Sequence, residues 1–258
     1  MSKIMDITPS TEILHATART GYDWTQAVFE VVDNSIDAIR SKSDTTTNKK
    51  GYFVHIHAVQ GDRKRPESLR IIDNGAGIKK DFLETGAIFS MGRSETRTAS
   101  AADDYTGAFG MGLKAAAQTL GQSLKVLTTT TDSDALIGAH VNFKEILTNN
   151  KWEAKFLDIN DITDADRDLF RKMAGSSSGT IIVIDGINDC VPTTSAIYTT
   201  LQKKIAHFYR HILNPDSKLG YTLPIEIRTG SRDPAPVANT NDPLCTAFHR
   251  TQVFIGGK

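Results

Sequence analysis

The sequence predicts an α+β fold, a two-layer sandwich with helices over a mixed, mainly antiparallel sheet. Two observations carry that expectation. Short apolar or alternating runs recur at 52–59, 68–72, 123–130, 135–143 and 180–184, and two of them face each other across Thr131-Asp132-Ser133-Asp134 at hairpin distance. Between the runs lie segments of helical period, and the one at 24–40 is apolar on most sides. At 258 residues the chain fits one large domain, or one domain plus the start of a second.

Bulk composition excludes several classes. Lys+Arg and Asp+Glu are both 30, so no global basic field advertises a nucleic-acid binder, although a local patch remains open. An apolar fraction of 39% with 23% charged residues is that of a soluble globular protein. Cys190 and Cys245 are too few for a disulfide framework and lack metal-site spacing, so they read as reduced thiols. No signal-peptide core opens the chain and no apolar run is long enough for a bilayer, so the expected location is cytoplasmic, away from membranes.

In chain order, a short helix at 11–16 precedes a break at 21–25, which leads into the central helix. There Glu30, Asn34 and Asp37 fall at i, i+4 and i+7 and stack on one side over two turns. Val28, Val31, Val32, Ile36 and Ile39 occupy much of the rest, so the acidic stripe must line a cavity or lose its solvation. An amide oxygen to ligate a metal, one carboxylate to polarise a water and a second to meet a sugar or base suit a magnesium nucleotide. Taken alone, Glu-x-x-x-Asn fits an ordinary amphipathic helix at least as well. Residues 41–50 form a polar loop, and the strand at 52–59 puts His55 and His57 on one face, read as a solvated face rather than a metal site.

Asp73-Asn74-Gly75-Ala76-Gly77-Ile78 ends the second strand with a carboxylate and two glycines. That turn lets backbone approach a flat ligand closely, while Asp73 accepts from an exocyclic amine such as adenine's. Asp-Asn-Gly is also a common turn. A short helix begins at 81, and 90–105, rich in small residues and carrying Arg93 and Arg97, reads as a lid. Next, Gly107-Ala108-Phe109-Gly110-Met111-Gly112-Leu113-Lys114 runs into an Ala-rich helix start. Open glycine amides, the positive end of a helix and Lys114 on its first turn make a phosphate cradle, though neither a Walker loop nor a Rossmann fingerprint. Strands at 123–130 and 135–143, a third at 152–157, a helix at 161–173 and a buried strand from Thr180 follow. A helix at 195–213, a strand at 223–227 and a loop at 232–243 precede what reads as an unfinished strand at 252–255.

Three weak signals in this order and at these separations resemble the GHKL ATPases, the superfamily of the gyrase B subunit, the large heat-shock chaperone, histidine kinases and MutL. The likeness covers about residues 10–190. Leu14-His15-Ala16-Thr17-Ala18, Trp24 and Gly110-Met111-Gly112-Leu113-Lys114 look most like MORC-type ATPases and their prokaryotic relatives. The resemblance implies the Bergerat-type ATP-binding fold over 1–190, with 191–258 opening a second, transducer-like unit cut short. It makes Glu30 the general base and Asn34 the magnesium ligand. Asp73 and Thr180 would bind adenine, Asp37, Ala38, Gly75, Gly77 and Ile78 would wall its pocket, and Asn74 would lie near the phosphates. Residues 107–114 would hold those phosphates. It further implies ATP and Mg²⁺ as cofactors, ADP as product, a homodimeric clamp closed by ATP, and DNA or a partner protein as target. Histidine-kinase-type and chaperone-type domains, and a nucleotide-sensing switch with little hydrolysis, are the rival readings.

Overall fold

The structure, a computed structural model, describes residues 11, 22–45, 51–86, 88–89, 112–173, 178–213, 223–230 and 235–236. The expected helix at 11–16 beyond its first residue, the lid at 90–105, the glycine stretch Gly107 to Met111 and the strand at 252–255 lie outside the described residues.

The described strands are β1 (Val54–Gln60), β2 (Pro66–Asp73), β3 (Ser123–Thr130), β4 (Ser133–Asn142), β5 (Lys155–Leu157), β6 (Gly179–Asp185), β7 (Ile225–Thr229) and β8 (Ala235–Pro236). They form one sheet in the order β5-β4-β3-β6-β2-β1-β7-β8. Every pairing is antiparallel except β1 with β7, so the sheet is mixed and mainly antiparallel. The helices are α1 (Trp24–Thr45), α2 (Lys80–Glu84), α3 (Gly112–Leu120), α4 (Phe143–Asn149), α5 (Asp164–Met173), α6 (Thr194–Phe208) and α7 (Arg210–Leu213). None is long and apolar enough to cross a membrane.

Strand alternation sorts the side chains into two layers. Val54, Ile56, Leu69, Ile71, Leu124, Val126, Ile182 and Ile184 point into one core with Val28, Val31, Val32 and Ile39 of α1 and Leu120 of α3. Burying each of the larger of these contributes about 1.5–3 kcal/mol. On the other face Ile72, Leu127, Ile181 and Val183 pack with Leu136, Leu157, Ile162 and Phe170, the last from α5.

Several elements depart from the sequence expectations. Helix α1 runs on to Thr45, into the stretch read as loop, because Lys42 donates to the Asn74 carbonyl at 2.9 Å and anchors the extra turn. Its start is set by Asp23, whose carboxylate accepts from the Thr25 and Gln26 amides. Helix α4 had no sequence counterpart; Asn142 ends β4 and caps α4 through the Glu145 amide. The helix read at 195–213 breaks at Tyr209 into α6 and α7. The short strand β8 falls inside the stretch read as loop. A boundary was expected near 190; the described residues beyond it are built onto the same sheet and core, through β7 beside β1 and Ile197, Leu201 and Ile205 of α6.

Tyr209 fastens those later elements to α1. Its hydroxyl donates to Asp33 at 2.8 Å and approaches the Phe29 carbonyl at 3.2 Å, and its ring meets Phe29 edge-on. Burial, chiefly, pushes the Asp33 carboxyl up to about 6, and the Tyr209 hydrogen bond works against that rise. The Asp33 pKa is raised above its unfolded value, so its contribution to stability weakens as pH climbs from about 4 to 6. Removing the donor in Tyr209→Phe raises it further. Urea unfolding of Tyr209→Phe should therefore show a loss of about 1–3 kcal/mol at pH 8 and a smaller loss at pH 5.

Candidate functional site

Asp73, Thr180 and Thr128 lie side by side across β2, β6 and β3 at the end of the sheet beneath α1. Asp73 is 2% exposed, and its carboxylate accepts from the Gly75 amide at 2.9 Å, the Ser35 side chain of α1 and Thr180. Burial outweighs these bonds and raises its pKa to about 7. The Thr128 hydroxyl donates to the Gly179 carbonyl at 2.9 Å, lies 3.2 Å from the Thr180 hydroxyl and accepts from the Ile78 amide. This threonine joins the loop after β2 to two strands distant in sequence. It was not singled out from the sequence; only its place next to Thr180 in the register marks it.

The glycines of that loop are set by close approach. The Ala76 amide donates to the Ala38 carbonyl at 3.0 Å, drawing the loop against α1, and a Cβ on Gly75 would lie 2.7 Å from the Ala38 carbonyl carbon. Gly77 has φ +76°, and a Cβ there would collide with the Thr129 carbonyl, so no other residue fits. Ser178 donates to the Gly75 carbonyl at 2.8 Å and closes the far side. Asn74 gives its amide to backbone instead: its oxygen accepts from Phe53 and its nitrogen donates to Gly51. Its side chain thereby ties the loop to the start of β1.

Farther along α1, Glu30 faces the start of α3. A Cβ on Gly112 would collide with the Glu30 carboxylate, so the bare glycine lets that carboxylate reach the helix N-terminus. Tyr22, just before α1, gives its hydroxyl to the same carboxylate, a partner the sequence reading passed over. Asn34 is exposed; its amide nitrogen donates to the Glu30 carbonyl one turn back, which leaves the amide oxygen as an acceptor. Asp37 is buried and lies 3.4 Å from Arg40, and Ala38 forms wall against Gly75. Leu113 is half-buried and packs against the main core. Lys114 is buried on the first turn of α3, and burial pushes its pKa down to about 8. The structure thus sets Gly112 against Glu30, Gly75 and Ala76 against Ala38, and Asp73 against Ser35 and beside Thr180; Asn34 and Asp37 share α1 with Glu30, and Lys114 follows Gly112 on the first turn of α3.

Chemically, this is a carboxylate able to accept from an amine at one end and a carboxylate, an amide oxygen and a lysine at a helix N-terminus at the other. Among the described residues no group of three or more His, Cys, Asp or Glu could hold a metal alone. A hard cation such as Mg²⁺ takes oxygen ligands and keeps several waters, and the Asn34 amide oxygen is a group of that kind.

A family model described as "Histidine kinase-, DNA gyrase B-, and HSP90-like ATPase" matches residues 22–180, more than half of the chain. No curated protein matches it.

The raised pKa of Asp73 means that the fold favours its protonated form, so its cost grows as pH rises from about 4 through 7. Asp73→Asn should unfold at higher urea than wild type at pH 8, by about 1–3 kcal/mol, with the gain gone near pH 4.

Proposed function

Because the chain belongs to the histidine kinase-, DNA gyrase B-, and HSP90-like ATPases, a family that binds ATP, we propose that it is a Mg²⁺-dependent ATP hydrolase of the MORC-like kind. The observation that carries the reading is the placing of Glu30 against the N-terminus of α3, one helical turn from Asn34. Adenine sits over Gly75 and Gly77 with its amine on Asp73, and the phosphates extend toward Gly112 and Lys114. There the helix N-terminus and the lysine charge favour anions. Asn34 offers its oxygen to Mg²⁺, which when bound neutralises phosphate charge.

Glu30 accepts a proton from the attacking water and aims it at the terminal phosphate, and the Tyr22 hydroxyl holds the carboxylate in place. Lys114, with its pKa drawn down toward 8 by burial, regains full charge beside phosphate and stabilises the charge that develops on it. Nucleotide binding closes residues 90–105 over the site and joins two chains through their first twenty residues, a clamp that acts on DNA in the cytoplasm. Phosphate goes to water and ADP leaves.

Glu30→Ala should bind ATP within about threefold of wild type and lose 10²–10³-fold in steady-state phosphate release. Gly112→Ala, whose Cβ displaces the same carboxylate, should lower turnover as well. Normal turnover by Glu30→Ala would remove it as the base. Size-exclusion chromatography with a non-hydrolysable ATP analogue should move the chain to dimer volume; a monomer under saturating analogue would sink the clamp.

A further inference from the structure

Of the two histidines expected on a solvated strand face, His55 is half-buried and His57 is buried. His55 stacks on Phe53 and pairs with Glu226 at 3.0 Å, while His57 is 7% exposed, with its Nε2 at 3.2 Å from the Gly230 carbonyl. Register places His57 directly between Arg70 of β2 and Arg228 of β7. All three alternate with core residues, so they lie on the face of the sheet opposite α1 and the nucleotide site.

Each arginine is a direct cross-strand neighbour of His57, and the two guanidinium-bearing strands flank β1 on either side. Among the described residues, the other arginines whose side chains are described each have an acceptor, such as Asp37 for Arg40, Asp189 for Arg65 and Asp168 for Arg171. Arg70 and Arg228 make no hydrogen bond or ion pair there, and both are partly exposed. The Nε atoms of both, Nδ1 of His57 and the hydroxyl of Ser68, which is 3% exposed, are buried without a hydrogen-bond partner. Among the described residues, four of the five orphaned buried polar side-chain atoms therefore fall in this one patch. The nearby acids do not complete it: Glu226 is taken by His55, and Asp185 acts on Arg70 without forming an ion pair.

We propose that Arg70 and Arg228, which flank His57, form a binding site for a phosphate oxyanion, with the Ser68 hydroxyl beside Arg70, separate from the nucleotide site. Two guanidiniums from opposite sides of a strand suit a tetrahedral group, which offers each a pair of oxygens, whereas a planar carboxylate is satisfied by one. Binding supplies the acceptor that neither guanidinium has among the described residues. A free phosphate monoester and a nucleic-acid backbone present this same group.

The test uses the full chain, with the His57 imidazole followed by NMR and identified through His57→Gln. Inorganic phosphate should shift the His57 resonances saturably, with or without a non-hydrolysable ATP analogue. Arg70→Gln and Arg228→Gln should each weaken that response at least tenfold while ATP affinity stays within twofold. Arg70→Lys, which keeps the charge, should weaken it less and serves if a glutamine variant misfolds. A 20-nucleotide strand acting at least tenfold below the phosphate concentration identifies a polymer backbone, and equal or weaker action identifies a small phosphate ester. No saturable response to either probe, or one unchanged in both glutamine variants, overturns the site.

Discussion

A carboxylate buried where three elements meet sets the geometry of this protein. Asp73 closes β2, takes a hydrogen bond from Ser35 on α1, and stands beside Thr180 on β6. Taking that group out of water is costly, and its pKa near 7 measures how incompletely its donors repay the loss. A fold maximising its own stability would place an apolar residue there. The glycine loop packs so closely against Ala38 and Thr129 that neither Gly75 nor Gly77 has room for a side chain.

Helix α1 carries the rest of the chemistry and is held along its length. Asp23 caps its start and faces Lys204 of α6 at 3.5 Å, while Lys204 also donates to Thr25. Tyr209 grips its middle through Asp33, one turn from Glu30. The later elements of the chain are thus bonded to the helix that bears the proposed base and metal ligand.

The two faces of the sheet divide the work. One buries aliphatic side chains under α1 and α3 and supports the nucleotide site at its edge. The other is apolar only where α5 covers it, and across β2, β1 and β7 it turns polar and cationic. The β1–β7 pairing, the single parallel one among those described, brings Arg228 beside His57.

The sequence by itself determined the spacing of Glu30, Asn34 and Asp37 on one helix, the alternation of the strands, and the carboxylate followed by two glycines. Each is a local pattern, and helix and strand periodicity report local geometry directly. It missed α4, stopped α1 five residues early and did not give Tyr22, Thr128 or Tyr209 the partners they have, because a cap or a side-chain partner is a contact and not a period. Only the tertiary structure decided that Asn74 serves backbone, that Gly112 meets Glu30, and that His57 lies buried between two arginines. Which side chains become neighbours across a sheet is set by strand order and register, and no period within a single strand encodes either.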